Sequence, residues 1–311
     1  MSRSRVHQAF TAALVSAAVF ISGCASPTAL DRAIESADVD AWNRAAPGLL
    51  PALRAGQAVI VVEPQGGPGE IGLFTAYATP RIAATRRRTA THRHPLHAAP
   101  VGGTRSTRRQ IAEQDELPGL EIAWFDNALD PYLIQVNGSA ILAWLDPLSG
   151  LPAGDESVIV WSDTNSHGYV SLGRMAIDEG FAREEDMSLA LLRDLHAEHT
   201  ELIEALMLEN PRYIFFRELG EDDSLQGSRG VPLVAGVSLA TDPVHPTGTL
   251  LLLEPVDGSQ PHLGLVHDGG AAIVGPQRVD RYLGRGDDAM SAAGQVVVPA
   301  RVSRIVVPVG P

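Results

Sequence analysis

The sequence contains no lysine, and arginine supplies all 24 of its basic residues that carry a fixed positive charge. A lysine Schiff base and the lysine of a Walker-type phosphate loop are therefore excluded as chemistry for this chain. Aromatic residues are sparse, at 5% of the composition. Cysteine occurs once, as Cys24, so no disulfide can form within the chain.

Acidic residues outnumber basic ones, and the formal net charge of the chain is −13. This balance argues against a general affinity for nucleic acid. The chain has 311 residues, of which 45% are hydrophobic and 20% are charged. That length and composition can fill the core of two modest domains or of one large domain.

The first 24 residues have the composition of an export signal. Two arginines give a basic start, and the apolar run Ala12–Ile21 is too short to cross a membrane. The run ends in Ile21-Ser22-Gly23-Cys24, which resembles a lipobox. We therefore expect a lipoprotein signal peptide over residues 1–24 and a lipidated Cys24 that anchors the mature protein to a membrane. The alternative interpretations are an ordinary cleaved signal and a cysteine that stands there by chance.

A glycine-rich segment between Asp268 and Asp280 is the most informative part of the chain. Its glycines allow backbone angles and close approaches that residues with a Cβ resist. The residues Arg278–Leu283 that follow alternate between polar and apolar, which is typical of a half-buried strand. We predict a strand, a tight turn and a second strand, in an arrangement that could hold an acid/base group rigidly.

Each carboxylate also has a simpler interpretation. Asp280 could be an exposed strand residue that pairs with Arg278 or Arg281. Asp268 and Asp242 each stand beside a glycine or a proline, where an aspartate often caps a turn. From these residues alone the simpler interpretation is preferred for Asp280.

Short apolar runs separated by glycine and proline indicate a mainly β protein, as in a small barrel or sandwich. The run over residues 131–144 contains Asn137-Gly138-Ser139, which predicts a hairpin. Residues 187–209 instead have helical spacing and predict two short helices with Ser188 and Thr200 as N-caps.

The glycine-rich segment resembles the three-aspartate domain of the membrane-bound lytic murein transglycosylase A family. The resemblance rests on Asp268-Gly269-Gly270-Ala271-Ala272-Ile273-Val274-Gly275, followed by Arg278-Val279-Asp280. Other segments match the family in the same order along the chain. They are Phe74, Thr75, Tyr77 and Pro80, then Gln135 with Gly138-Ser139, Asn210–Glu218, and Ser238–Asp242.

The resemblance implies a double-psi β-barrel formed by the N- and C-terminal segments, with an inserted second small β-barrel domain and a few short helices. On this basis residues 25–105 and 215–311 would form the double-psi barrel. The three-aspartate domain would occupy about residues 232–308. Residues 106–214 would form the inserted β domain.

The resemblance also implies a function. The protein would cleave the β-1,4 bond between N-acetylmuramic acid and N-acetylglucosamine in peptidoglycan and form 1,6-anhydromuramic acid. Asp280 would act as acid and then as base, with Asp268 and Asp242 as supporting carboxylates. The residues expected to bind substrate are Thr75, Tyr77, Gln135, Gly138, Ser139, Gly270 and Arg278.

We expect no cofactor and no metal, and the resemblance implies that the nucleophile is the C6 hydroxyl of the muramic acid. The expected partners are peptidoglycan glycan strands, the membrane through the lipid anchor, and cell-wall synthases, with no nucleic acid. Resemblance to bacterial lipoproteins favours the periplasmic side of the outer membrane, since no aspartate follows Cys24.

Two other functions remain open from the sequence. The chain could be a catalytically impaired scaffold that binds peptidoglycan, because Ala271, Val274, Ala78 and Thr79 depart from the family pattern. It could also be a metallo-hydrolase that uses His92, His94 and His97. A solvated loop is the simpler interpretation of this histidine segment, because nothing in the sequence fixes the geometry of its imidazoles.

Overall fold

The computed structural model describes residues 17–18, 28–56, 61–67, 69–114, 116–220, 223–270 and 272–306. The predicted lipidation site Cys24 lies outside the described residues, as does Ala271 in the glycine-rich turn. No helix in the described part of the chain is long and apolar enough to span a membrane.

The secondary structure is mainly β, as the sequence predicts. In chain order the strands are β1 (Ala17–Ala18), β2 (Val61–Pro64), β3 (Gly72–Thr79), β4 (Arg81–Thr85), β5 (His94–His97), β6 (Glu121–Phe125), β7 (Ser139–Leu145), β8 (Pro152–Thr164), β9 (Ile214–Glu218), β10 (Ser238–Thr241), β11 (Leu250–Pro255), β12 (His262–Asp268), β13 (Arg278–Arg285) and β14 (Val297–Val306). The helices are α1 (Ala29–Glu35), α2 (Val39–Ala45), α3 (Leu49–Arg54), α4 (Arg108–Gln114), α5 (Leu129–Asn137), α6 (Leu172–Asp178), α7 (Leu189–Glu198), α8 (Thr200–Glu209) and α9 (Asp287–Gly294), with a 3₁₀ turn at Glu184–Asp186.

The first sheet closes into a barrel built from both ends of the chain. Its strand order is β1-β2-β14-β11-β12-β10-β13-β3, and β3 also pairs with β14. This extra pairing closes six strands, β14 through β3, into a ring and leaves β1 and β2 outside it. The pairs β10–β12 and β13–β3 are parallel, and the others in the ring are antiparallel. The double-psi barrel expected from the sequence is consistent with this closed sheet.

The second sheet has the order β5-β6-β4-β7-β8-β9 and interrupts the barrel sequence. Only Pro80 separates β3 in the barrel from β4 in the second sheet. Residues 81–97, which the sequence analysis assigned to the barrel, pair within this sheet, since β4 runs parallel to β7 and β5 pairs with β6. The strand β9, at residues 214–218, pairs with β8 in the same sheet. The inserted unit is therefore larger than the predicted range of residues 106–214.

Four consecutive leucines on β11 show how the barrel is packed on both faces. Leu251 and Leu253 point into the barrel interior with Phe74 and Val279. Leu250 and Leu252 point outward, as the two-residue period of a strand requires, and pack against the helices α1 to α3. The N-terminal helices therefore cover a barrel face that would otherwise be apolar and exposed.

The predicted hairpin over residues 131–144 is wrong, because its first half forms the helix α5. Pro131 is tolerated there since it lies in the first helical turn, where the missing N–H has no intrahelical partner. Gly138 ends the helix in a left-handed conformation with φ +82°, and its N–H bonds to the carbonyl of Ile134. The glycine that suggested a hairpin turn is thus a helix C-cap.

The two helices predicted over residues 187–209 are present as α7 and α8. Ser188 caps α7 by accepting the N–H of Leu191, as predicted. Thr200 is not the N-cap of α8, because that position falls on His199. The Thr200 hydroxyl instead donates to the carbonyl of His196, near the end of α7.

Truncating Leu251 should test how far the barrel interior determines stability. Leu251 is fully buried, so we expect Leu251→Ala to lower the free energy of unfolding by about 2–5 kcal/mol through lost burial and a residual cavity. Leu148 is 96% exposed, so the matched change Leu148→Ala should cost less than about 0.5 kcal/mol. Urea denaturation of both variants measures the difference. Similar losses for both would contradict the packing described here.

Candidate active site

A cavity of about 810 Å³ lies between the barrel and the inserted sheet. The barrel side contributes Tyr77, Ala240, Asp268, Gly270 and Asp280. The inserted side contributes residues from α5 and the start of β7, from β8 and from the segment leading into β9. Its volume is at the upper end of the range for ligand sites. The predicted carboxylate pair therefore faces a space in which a ligand could bind.

Asp280 lies on β13 between two neighbouring strands. It pairs with Ala240 on β10 and with Thr75 on β3. The Thr75 hydroxyl donates a hydrogen bond to the Oδ1 of Asp280. An Arg278 nitrogen lies 3.1 Å from the same oxygen. Both residues thus hold the carboxyl through its Oδ1, and its side chain keeps only 19% of its surface exposed.

Burial raises the pKa of the Asp280 carboxyl above its ordinary value. The Arg278 charge and the Thr75 hydrogen bond lower this pKa, while the Asp268 charge raises it further. The net direction is upward, so removal from water outweighs the two stabilising contacts. A carboxyl with a raised pKa is suited to donate a proton.

Asp268 accepts several hydrogen bonds at the end of β12. The Tyr77 hydroxyl donates to its Oδ2 at 2.7 Å. The backbone N–H groups of Ser228 and Gly269 donate to its Oδ1 at 2.7 and 2.8 Å. Burial raises the pKa of Tyr77 well above its ordinary value, which keeps this hydroxyl protonated as a donor. Asp268 is therefore held in place by three donors.

Gly227 permits this arrangement, and the sequence analysis missed it. A Cβ built at this position would lie 2.6 Å from the Cγ of Asp268, closer than real contacts allow. Any side chain here would displace Asp268 or move the segment that carries the Ser228 N–H. A glycine between Gln226 and Ser228 gives no sequence signal of this role, because its contact lies on a distant strand.

Asp242 holds the glycine-rich turn and does not line the cavity among the described residues. Its Oδ2 accepts the N–H of Gly275 at 2.8 Å, and its Oδ1 accepts the N–H of Val244 at 2.8 Å. The hydrogen bond from Gly275 is the main reason why the pKa of Asp242 is lowered. The turn-capping interpretation of this aspartate therefore describes its contacts.

The remaining predicted site residues fall into two groups. Tyr77, Gln135, Gly138, Ser139 and Gly270 line the cavity. Gln135 is nevertheless occupied by protein contacts, because its Oε1 accepts from Arg108 at 2.9 Å and from the N–H of Ile214 at 3.2 Å.

Thr75 and Arg278 form the second group, because they contact Asp280 from beside it without lining the cavity. The Nη1 of Arg278 is buried and has no hydrogen-bond partner among the described residues. The second group therefore acts on the carboxyl rather than on a ligand in the cavity.

Trp161 and Ser162 on β8 line the cavity and were not predicted. The pairing of β8 with β9 shifts register between Trp161 and Asp163, which is a β-bulge. Bulges redirect side chains, and Trp161 is 46% exposed although it stands in a long strand. The sequence shows only an apolar run here, and nothing in that run marks the bulge.

Three of the departures from the family pattern do not lie on the cavity wall. Ala78 and Thr79 are buried, each with 1% of its surface exposed, and Thr79 lies within hydrogen-bonding distance of Tyr282 and Ser139. Val274 is 74% exposed and is not one of the residues that line the cavity. These three positions therefore give no structural reason for weaker ligand binding.

The histidine segment does not converge on a metal geometry. The Nδ1 of His97 lies 2.8 Å from the Tyr213 hydroxyl, whereas that of His92 faces the hydroxyls of Thr89 and Thr91. Within the ranges that the structure describes, no group of three or more His, Cys, Asp or Glu side chains could hold a metal ion.

Two family models match the chain. The MltA specific insert domain matches residues 73–217, which span β3 and the second sheet. The 3D domain matches residues 237–306, which span the strands of the barrel from β10 to β14. The two matches together include every residue of the cavity described above except those between residues 218 and 236.

Curated relatives have the same name in different bacteria. The membrane-bound lytic murein transglycosylase A of Vibrio cholerae serotype O1 is 29% identical over 238 residues. That of Escherichia coli K12 is 31% identical over 233 residues. Each match covers 71% of this chain but 62% of the relative, so it spans less than two thirds of the relatives' own length.

Solved structures show the same fold. The crystal structure of a membrane-bound lytic murein transglycosylase from Agrobacterium tumefaciens is 26% identical, with a TM-score of 0.68, and the match covers 80% of this chain and 76% of that one. The structure of Escherichia coli MltA with bound chitohexaose is 24% identical, with a TM-score of 0.71 and coverages of 97% and 94%. At that identity the second likeness concerns the fold alone.

The raised pKa of Asp280 predicts an effect of pH on stability. As pH rises above about 3.9, the unfolded state ionises first, so ionisation of Asp280 lowers the stability of the folded state. We expect Asp280→Asn to be more stable than wild type at pH 7, and the gain to vanish below about pH 3.9. Urea denaturation between pH 3 and 7 measures this.

The variant Asp242→Asn is the control, because its effect on stability at pH 7 should have the opposite sign. The pKa of Asp242 is lowered, so its ionised form stabilises the fold above the unfolded pKa and this contribution is lost at low pH. This variant should be less stable than wild type at pH 7. A loss of stability at pH 7 in Asp280→Asn would contradict the burial of its charge.

Proposed function

The chain belongs to the membrane-bound lytic murein transglycosylase A family, and we propose that it cleaves peptidoglycan glycan strands with formation of 1,6-anhydromuramic acid. The bond cleaved is the β-1,4 bond between N-acetylmuramic acid and N-acetylglucosamine. One observation carries this proposal: Asp280 is a carboxyl with a raised pKa in a large cavity, opposite a wall from another domain.

Asp280 supplies the proton for the leaving oxygen. Cleavage of a glycosidic bond needs an acid that is still protonated when the substrate binds. Burial and the Asp268 charge favour that form. Once the proton is transferred, the new carboxylate is stabilised by Thr75 and Arg278, which already contact its Oδ1. Asp280 can then accept a proton in the second half of the reaction.

Asp268 is not a second reacting group in this scheme. Its two oxygens accept hydrogen bonds from Tyr77, Ser228 and Gly269, which fix them in place. A glycosidase with two reacting carboxylates needs the second one free to attack the sugar or to activate water. The intramolecular attack of the muramic acid C6 hydroxyl needs neither, and it gains from proximity. The contacts of Asp268 therefore favour a reaction with one acid/base residue.

The opposite wall suits a sugar chain. Trp161 exposes part of its ring to the cavity, and an apolar ring face can pack against the C–H face of a pyranose. Ser139 and the backbone at Gly138 add polar groups at the start of β7. A glycan ligand is also supported by the curated Escherichia coli relative, which is 31% identical, since Escherichia coli MltA has been solved with bound chitohexaose.

Anchoring to a membrane is a further part of the proposal. The lipobox-like sequence that ends at Cys24 and the membrane-bound relatives support a lipid anchor on the periplasmic side of the outer membrane. Such an anchor would hold the barrel and its cavity close to the peptidoglycan layer. Cell-wall synthases are the protein partners proposed for this location.

Digestion of murein sacculi tests the proposed reaction. The full chain should release 1,6-anhydromuropeptides, measured by chromatography with mass spectrometry. When the reaction is run in ¹⁸O-labelled water, no label should enter the new sugar terminus, because the nucleophile is internal. Asp280→Asn should lower the rate at least about 100-fold, since it removes the group that transfers the proton.

Asp40→Asn is the matched control. Asp40 is exposed on α2, away from the cavity, so this change should leave the rate unchanged. Incorporation of ¹⁸O would show a hydrolase instead. Release of anhydro product at the wild-type rate by Asp280→Asn would contradict its role as the acid.

A further inference from the structure

The acidic and the basic residues that line the cavity lie on opposite walls. Its charged lining residues are Asp268 and Asp280 on the barrel side, and Arg108, Arg193, Arg212 and Arg217 on the inserted side. The chain as a whole has a net charge of −13, so a wall whose charged residues are all arginine departs from the general composition. Those arginines that are not paired with a carboxylate can give this wall a positive potential.

Three of the four arginines are held by protein groups. Arg193 contacts Asp130 at 2.8 Å, and Arg217 contacts Asp223 at 3.2 Å, which neutralises both. Arg108 is buried and donates to the carbonyls of Asn210 and Arg212 and to Gln135. Those two carbonyls lie just beyond the end of α8, so Arg108 is a structural cap of that helix terminus.

Arg212 differs from the other three. It is half-buried, and its guanidinium has one hydrogen-bond partner in the described part of the chain, the carbonyl of His167 at 3.2 Å. No carboxylate pairs with it among those residues. Its charge is therefore left facing the cavity, and the buried charge of Arg108 nearby adds to the positive potential.

A second unsatisfied donor lies on the same wall. The Ser162 hydroxyl is buried at the β-bulge of β8, lines the cavity and has no hydrogen-bond partner among the described residues. Buried polar atoms are normally hydrogen-bonded, so an orphaned one beside a cavity indicates a polar ligand. The inserted wall thus presents unpaired donors as well as positive charge.

We propose that Arg212 binds a carboxylate of the substrate, so that the inserted wall selects glycan strands that carry acidic groups. This inference rests on the proposed function, since the acidic groups are those attached to muramic acid. They are the carboxylates of the stem peptides or, where the peptide has been removed, the lactyl carboxylate. The planar guanidinium matches a carboxylate through two parallel hydrogen bonds.

The arrangement also explains why the positive charge lies opposite the acid. A carboxylate of the substrate placed beside Asp280 would raise the negative charge around that residue further. Binding it on the inserted wall keeps it away from the barrel side and orients the strand between the two walls. Arg212 is therefore a specificity-determining residue rather than a catalytic one.

Binding of three soluble ligands tests the inference. They are glycan oligosaccharides with stem peptides, the same strands stripped by an amidase so that they keep only lactyl carboxylates, and chitohexaose, which has no carboxylate. Affinities are measured in the full chain with Asp280→Asn, with and without Arg212→Gln, so that no turnover occurs. Arg87→Gln is the matched control, because Arg87 is exposed, lies outside the cavity and has no ion pair among the described residues.

We expect Arg212→Gln to weaken binding of the peptide-bearing strand about fivefold at low salt, as the loss of a partly exposed ion pair would. Binding of chitohexaose should change less than about twofold. A loss confined to the peptide-bearing strand assigns the carboxylate to the stem peptide, and a loss confined to the stripped strand assigns it to the lactyl group, which is a free carboxylate only there. A loss with both muramic acid strands shows that Arg212 binds either carboxylate. Arg87→Gln should change none of the three.

An equal loss with chitohexaose would overturn the inference, because Arg212 would then only support the fold of the wall. No loss with any ligand would overturn it as well. The proposed function is judged separately by anhydro product from the wild-type chain. If the wild-type chain released no anhydro product, the differences in affinity among the three ligands could still be measured.

Discussion

The pairing of β13 with both β3 and β10 is the constraint on which the rest of the site depends. It joins a strand from residues 72–79 to strands from the last third of the chain. The parallel register with β3 places Thr75 opposite Asp280 and brings Tyr77 to Asp268. Because β3 leads through Pro80 directly into β4, the same strand also positions the inserted wall across the cavity.

The surroundings of Asp268 and Asp280 give these two carboxylates different roles. Asp268 accepts three hydrogen bonds, two of them from backbone N–H groups, whereas Asp280 is shielded from water and keeps a raised pKa despite the nearby Arg278. The two residues come from one short motif, so the difference comes from the strands and loops packed around it. Ser228 and Gly227, from the segment that returns the chain to the barrel, complete this difference.

The sequence predicted those features that depend on local pattern. Alternation and glycines predicted the strand, turn and strand around Asp268 and Asp280, and helical spacing predicted α7 and α8. It did not predict features set by distant contacts. Asn137-Gly138 could be a hairpin turn or a helix C-cap, and only the packing of α5 decides between them. The bulge that exposes Trp161 depends on pairing with β9, and the unpaired state of Arg212 depends on which acidic residues fold beside it.

Burial, helped by the charge of Asp268, raises the pKa of Asp280 and so favours its protonated form. The most direct measurement is the ¹³C chemical shift of the Asp280 carboxyl, followed against pH by NMR in the wild type and in Asp268→Asn. We expect a wild-type pKa above the ordinary value for aspartate. In Asp268→Asn the pKa should be lower but still raised, since burial remains. A wild-type pKa at or below the ordinary value would show that Arg278 and Thr75 outweigh burial, and would contradict the role of Asp280 as a buried acid.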